Sequence, residues 1–292
     1  MSDYILKAIT EDGQARAYVA VTTDMVNEAA KRHEMSPVAI TAAGRLFTAG
    51  AMMGTMMKND KDLLTVRIKG NGPIGQMMCS ANPKGEVKGF VGNPQVMLPL
   101  KEGRIDVAGA LGIGVLSVTK DLGLKEPYIG DTILVTSEIG DDLTYYFATS
   151  EQIPSTVGLG VLVAGDCSVK QAGGFIVQLM PFATENVISA LEARLKDVKS
   201  VTAMLEAGLT PEDMLDRLLG DQDLLINDSF PVQYKCDCNR DRFARGLISL
   251  GRREIQEMID DGKPVEVNCH FCDKKYVFTV KDMEDIFAAA KR

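Results

Sequence analysis

Histidine is almost absent from this chain: His33 and His270 are the only two among 292 residues. Neither belongs to an H-E-x-x-H pair and no G-x-S-x-G elbow occurs, so the usual zinc-hydrolase and serine-hydrolase arrangements are excluded. A nucleotide-binding loop is also missing. No apolar run reaches the ~18 residues that span a bilayer without a glycine, polar or charged interruption. The opening residues, Met1-Ser2-Asp3-Tyr4, put no basic stretch ahead of an apolar one, from which a cytosolic (cytoplasmic) protein with no membrane partner is expected. Positive charge is short as well, with 32 Lys and Arg against 40 Asp and Glu. A polyanion-binding protein carries a basic face. Here the basic clusters, Arg240, Arg242, Arg245 and Arg252, Arg253, alternate with acids and read as a solvated face, so nucleic acid is a disfavoured partner.

What the chain does have is cysteine in a telling place. Four of its six cysteines lie in the last fifth as two close pairs, Cys236-Asp237-Cys238 and Cys269-His270-Phe271-Cys272, 30 residues apart. Close-spaced pairs let a tight backbone knuckle aim two thiolates at one metal, and structural zinc takes four such ligands in a tetrahedron. One Zn2+ per reduced chain, held by Cys236, Cys238, Cys269 and Cys272, is the reading these residues favour. A metal-free redox dithiol pair, buried bystanders, or three Cys with His270 are the alternatives. Four thiolates close the coordination sphere, which argues against an enzyme with an open zinc position. Cys79 and Cys167 stand alone in apolar, Gly-flanked surroundings and read as small buried hydrophobes.

Periodicity assigns an α+β fold: a mixed N-terminal domain of antiparallel sheets and helices, a helical linker and a small zinc-binding C-terminal module. Strands are expected at Tyr4 to Thr10, Ala15 to Thr22, Leu63 to Lys69, Ile74 to Ala81, Glu86 to Val91, Gly114 to Thr119, Thr132 to Glu138 and Phe175 to Met180. Helices are expected from Asp24, from Ser36-Pro37 through Met57, and over Leu143 to Glu151 and Pro154 to Val163. Gly70-Asn71-Gly72-Pro73-Ile74-Gly75 satisfies G-x-G-x-x-G, but the turn at Asn82-Pro83-Lys84-Gly85 follows too soon for a phosphate-binding helix, so a hairpin connection is expected. Glu138, Asp141 and Asp142 read as a solvated turn. Residues 1–180 are thus a core domain, and 181–231 an acidic helical linker with four basic against ten acidic residues. Its helices are expected over Thr184 to Ala207 and from Thr210-Pro211 to Gly220. Residues 232–292 form the zinc module: two short helices, a hairpin bearing C-x-x-C at its tip, and a final helix with Met283, Ile286 and Phe287.

Cys236, Cys238, Cys269, Phe271, Cys272, Tyr276 and Phe278 together resemble the zinc module of the heat-shock protein 33 family, redox-regulated bacterial holdase chaperones. Gly70 to Ile74, Gly85 to Val91, Tyr145 to Pro154 and Ala172 to Pro181 agree in the family's order. The resemblance implies a stress-response chaperone that needs no ATP and binds zinc while reduced and inactive. On oxidation it implies disulfides joining Cys236 with Cys238 and Cys269 with Cys272, loss of zinc, and loosening of the module and linker. Unfolded or partly folded client proteins are the implied partners, with a homodimer when oxidised. A zinc-module nucleic-acid-binding protein is the alternative, and would show affinity falling steeply with salt.

Overall fold

The alternating apolar residues near the N-terminus form the expected hairpin in the computed structural model, which describes residues 2–198, 200–220 and 223–290. Strand β1 (Tyr4–Thr10) turns through Gly13 into β2 (Ala15–Val21). Helices α1 (Thr23–Arg32) and α2 (Pro37–Gly54) follow. The Ser36 hydroxyl accepts from the Ala39 N–H at 3.3 Å, and Pro37, whose missing N–H is no loss there, opens α2. This helix is buried almost all round, as its Ala, Gly and Met content allows. A Cβ at Gly50 would sit 2.3 Å from the Cys79 sulfur, so only glycine lets helix and sheet approach this closely.

The remaining elements of the first compact unit, Met1–Lys235, are β3 (Leu63–Gly70), β4 (Gln76–Ala81), β5 (Glu86–Val91), α3 (Val107–Leu111), β6 (Gly114–Asp121), β7 (Tyr128–Ile133), α4 (Gly140–Thr149), β8 (Ser155–Val163), β9 (Val169–Leu179), α5 (Glu185–Asp197), α6 (Val201–Glu206), α7 (Pro211–Leu219), β10 (Leu224–Pro231) and β11 (Gln233–Tyr234). Two sheets result, in strand orders β10-β1-β2-β9-β8 and β11-β5-β4-β3-β6-β7. Helix α2 packs against strands of both. Helices α5, α6 and α7 lay Leu191, Val201, Met204, Leu205, Met214, Leu215, Leu218 and Leu219 on Leu6, Val19, Val21, Phe175 and Val177. The acidic segment therefore finds its apolar partner on the β1–β2–β9 face.

Several expectations need correction. Pro154 to Val163 is strand β8, not a helix: Ser-Thr-Val-Gly-Leu-Gly-Val-Leu-Val is rich in β-branched residues, and Gly158 and Gly160 lie where a side chain would strike Phe175 and Thr202. The strand expected at Thr132 to Glu138 is β7, four residues earlier. Beyond it the chain wraps the fully buried Asp142, whose carboxylate accepts N–H bonds from Val135, Thr136, Ser137 and Ile139 at 2.7–3.2 Å. Asp142 is thus no part of a solvated turn, and it holds Ile139 at φ 65°, a strained value for a β-branched residue. Helix α2 ends at Gly54 rather than Met57, in a tightened last turn where Met56 and Met57 bond back to Met53 and Gly54. The single helix expected over Thr184 to Ala207 is two, because Ser200 caps a new start by accepting from Ala203 N–H; Lys199 lies outside the described residues. Cys167 is exposed in a turn at φ 64°, whereas Cys79 is buried as expected. Gly70 to Gly75 does close a hairpin connection, Gly70 N–H donating to Gly75 O at 2.8 Å.

The second unit, Cys236–Arg292, comprises α8 (Arg240–Ser249), α9 (Arg252–Asp260), a hairpin of β12 (Val265–Asn268) and β13 (Lys275–Phe278), and α10 (Val280–Ala289). Its core rests on Leu247, Ile255, Tyr276, Phe278, Met283 and Ile286. Among the described residues no helix is long and apolar enough to cross a membrane.

Candidate metal centre

Two knuckles of backbone bring the four sulfurs together. Cys269–Cys272 form the tip of the β12–β13 hairpin, where Cys269 N–H donates to Lys274 O at 2.9 Å and Asp273 N–H to Cys269 O at 2.8 Å, with Asp273 at φ 55°. Cys236 and Cys238 precede α8, whose start is capped by Asn239 accepting from Arg242 N–H. All four sulfurs lie within 4.8 Å of one another, with Cys236–Cys269 at 3.6 Å and Cys238–Cys272 at 3.4 Å. A disulfide needs ~2.05 Å, so these are separate thiols. A tetrahedron with metal–sulfur bonds of ~2.3 Å has edges of about 3.8 Å, and the donor set fits that geometry. Cys269 and Cys272 are buried, while Cys236 and Cys238 are half-buried. Every cysteine named from the sequence as a ligand is in the cluster; His270 is not among the grouped donors.

Electrostatics within the cluster are uneven. Burial pushes the Cys236 and Cys272 thiols above their ordinary range. Burial also opposes ionisation of Cys238, but hydrogen bonds from Tyr276 and the neighbouring sulfurs outweigh it and bring that thiol below its usual value. Tyr276 is a residue whose role in the site the spacing did not reveal. Its hydroxyl donates to Cys238 O at 3.0 Å and lies 3.1 Å from Cys238 Sγ. The bond to Cys238 and its burial hold the phenol in its neutral, donating form. The only sequence signal was its place in the Tyr-x-Phe alternation that buries Tyr276 and Phe278. Three of the arginines are engaged by rings or carboxylates. Arg240 stacks 4.3 Å over Phe278 and pairs with Asp282 at 2.8 Å, Arg252 stacks 4.1 Å over Phe287, and Arg242 pairs with Asp237 at 3.0 Å.

Comparison with known proteins identifies the family. The family model described as "Hsp33 protein" matches residues 3–279. A 33 kDa chaperonin of Lachnoclostridium phytofermentans is 52% identical over 287 residues, covering 98% of either chain, and one of Geobacillus kaustophilus is 49% identical over 294 residues, covering both fully. The crystal structure of a 33 kDa chaperonin, a heat shock protein 33 homolog from Thermotoga maritima, superimposes with a TM-score of 0.92 at 35% identity over 99% of both chains. With the family model spanning nearly the whole sequence and relatives near half identity along their full length, the chain belongs to the Hsp33 family.

Proposed function

We propose that this protein is a redox-regulated, ATP-independent chaperone: a cytoplasmic holdase that takes up unfolding proteins after oxidation of four zinc-bound cysteines. The observation that carries this reading is the convergence of two close cysteine pairs within 4.8 Å, in a unit whose core is only a handful of side chains. Zinc bound by Cys236, Cys238, Cys269 and Cys272 would hold all four sulfurs as thiolates and contribute ~10–16 kcal/mol to folding, as much as the whole stability of an ordinary domain. Each thiolate pair is a two-electron reductant. One sulfur attacks a peroxide oxygen, breaking the O–O bond and releasing hydroxide, and becomes a sulfenic acid. Its neighbour attacks that sulfur and displaces a second hydroxide to give the disulfide. The pairing of Cys236 with Cys238 and Cys269 with Cys272 comes from the family resemblance alone; the short sulfur contacts, Cys236–Cys269 and Cys238–Cys272, run across those pairs.

Disulfide sulfurs no longer ligate the metal, so the C-terminal unit loses its main support. The family resemblance further implies that residues 181–231 act as a linker that loosens with it. Its helices cover the β1–β2–β9 face, so release bares both their own apolar stripe and that face to clients or, in an oxidised homodimer, to a second chain. A zinc-module nucleic-acid binder loses support because Arg240, Arg242 and Arg252 are already engaged by rings and carboxylates. The test is light scattering of a thermally aggregating client with reduced and with peroxide-treated protein, without nucleotide, while released zinc is read with a chromogenic chelator. Suppression of scattering only after oxidation, in step with zinc release, is expected; equal suppression in both states contradicts the switch.

A further inference from the structure

Strand β7 ends the six-stranded sheet, pairs with β6 alone and leaves its other edge open among the described residues. Which of its backbone groups face outward follows from one bond. Leu134 N–H donates to Gly114 O at 2.9 Å, and hydrogen-bonded pairs alternate along an antiparallel ladder. The bonded pairs are then Thr132 with Leu116, Gly130 with Val118 and Tyr128 with Lys120, in the observed register. Ile129, Asp131 and Ile133 therefore aim their N–H and C=O groups at the open edge. The same three residues place their side chains on one face of the sheet, with Ile129 59% and Ile133 63% exposed. Asp131 between them is exposed and forms no ion pair among the described residues. The opposite face of β7 is taken by α4, where Tyr146 lies against Gly130 and the Tyr128 hydroxyl donates to Ser150 O.

An open strand edge flanked by exposed apolar side chains is a template for adding an extended segment. The charge at its centre says which segment. A second copy of this chain fits badly: a two-fold pairing of β7 with β7 that sets Ile129 against Ile133 also sets Asp131 against Asp131, and like charges directly opposite are destabilising. A strand with a basic residue opposite Asp131 and apolar residues two positions to either side satisfies all three positions. We propose that the free edge of β7 binds extended segments of unfolding proteins by backbone pairing, and selects those in which Lys or Arg lies between two apolar residues in an apolar-x-basic-x-apolar pattern. This deepens the chaperone reading and rests on it for the identity of the partner.

The experiment uses the full oxidised chain and fluorescently labelled ten-residue peptides that differ only in Lys or Glu at the central position, with binding read by anisotropy. The Lys peptide is expected to bind about tenfold more tightly, the size of one favourable cross-strand charge pair replaced by a repulsive one. Asp131→Lys reverses the order, and Ile133→Thr, which keeps strand propensity, weakens both peptides. Asp131 is exposed, so a thermal melt of Asp131→Lys matching that of the parent shows the fold retained. Equal binding of the two peptides, or an unchanged order in Asp131→Lys, overturns the proposal. Asp131→Asn producing a dimer with peptide affinity unchanged overturns it too, by assigning the edge to a second copy. Client protection is measured on the same samples. Protection without the charge preference removes the edge assignment and leaves the chaperone reading standing; the charge preference without protection does the reverse.

Discussion

The N-terminal unit surrounds an 18-residue buried helix with two sheets, and the C-terminal unit packs three helices and a hairpin on six buried side chains and four sulfurs. Burial of a large aliphatic or aromatic side chain is worth about 1.5–3 kcal/mol, and the first unit makes many such contacts where the second makes few. A unit this small is only marginally stabilised by its own core, so a metal or a disulfide adds a large share of its stability. If those four sulfurs hold zinc as proposed, the fold of the weaker unit is conditional on sulfur chemistry, whereas residues 1–180 keep a large core of their own. The acidic segment 181–231 sides with the stronger unit by packing, although its charge opposes compaction.

The sharpest break of this contrast is Cys269→Ser, which leaves three sulfurs. Zinc retention is expected to fall by several kcal/mol and the C-terminal unit to unfold, while the melting transition of the first unit stays in place; elemental analysis and calorimetry read the two effects. Next in size is Leu218→Ala. Leu218 is fully buried in the helix-on-sheet cluster, and its truncation costs about 2–5 kcal/mol of local stability. Hydrogen exchange should rise across residues 185–219 with zinc content unchanged; a loss of zinc would contradict the assignment of that segment to the first unit's packing.

These two substitutions rest on features of unequal visibility in the sequence. The sulfur cluster was legible because C-x-C and C-x-x-C carry their geometry in their spacing. Caps such as Ser36-Pro37 and Thr210-Pro211 were legible for the same local reason, and both act as expected, Thr210 accepting from Asp213 N–H at 3.2 Å. Strand β8 was not legible, since its glycines reflect contacts with Phe175 and Thr202 that no local pattern encodes. Asp142 looked like one acid of a surface turn because its four N–H donors lie in a loop whose path is set by tertiary packing. The docking surface for the acidic helices came in part from a strand more than two hundred residues away, beyond any periodicity.

A smaller effect separates the units by pH. Asp3 is buried, caps α1 by accepting from Met25 N–H at 2.7 Å, and burial raises its pKa from 3.8 to about 6. A carboxyl whose folded pKa exceeds its unfolded one is penalised when ionised, so this group lowers stability above pH 6, and the penalty fades as pH falls from 6 towards 4. Asp3→Asn should therefore stabilise the first unit at pH 7 by at most ~3 kcal/mol and remove that part of its pH dependence, read by thermal melts between pH 4 and 7, with the C-terminal unit unaffected. Smallest is Tyr276→Phe, which removes the hydroxyl from Cys238. A loss of about 1 kcal/mol is expected, seen as severalfold faster zinc release to a chelator without loss of the fold.

The proposed dependence of the C-terminal unit on its metal is tested most directly by hydrogen exchange on the zinc-loaded protein before and after peroxide, with released zinc followed in parallel. Amides of residues 240–289 should lose protection in step with zinc release while strands β1 to β9 keep theirs. Full release of zinc with protection of residues 240–289 unchanged would contradict the account, because the four sulfurs would then be passengers in a unit that folds without them.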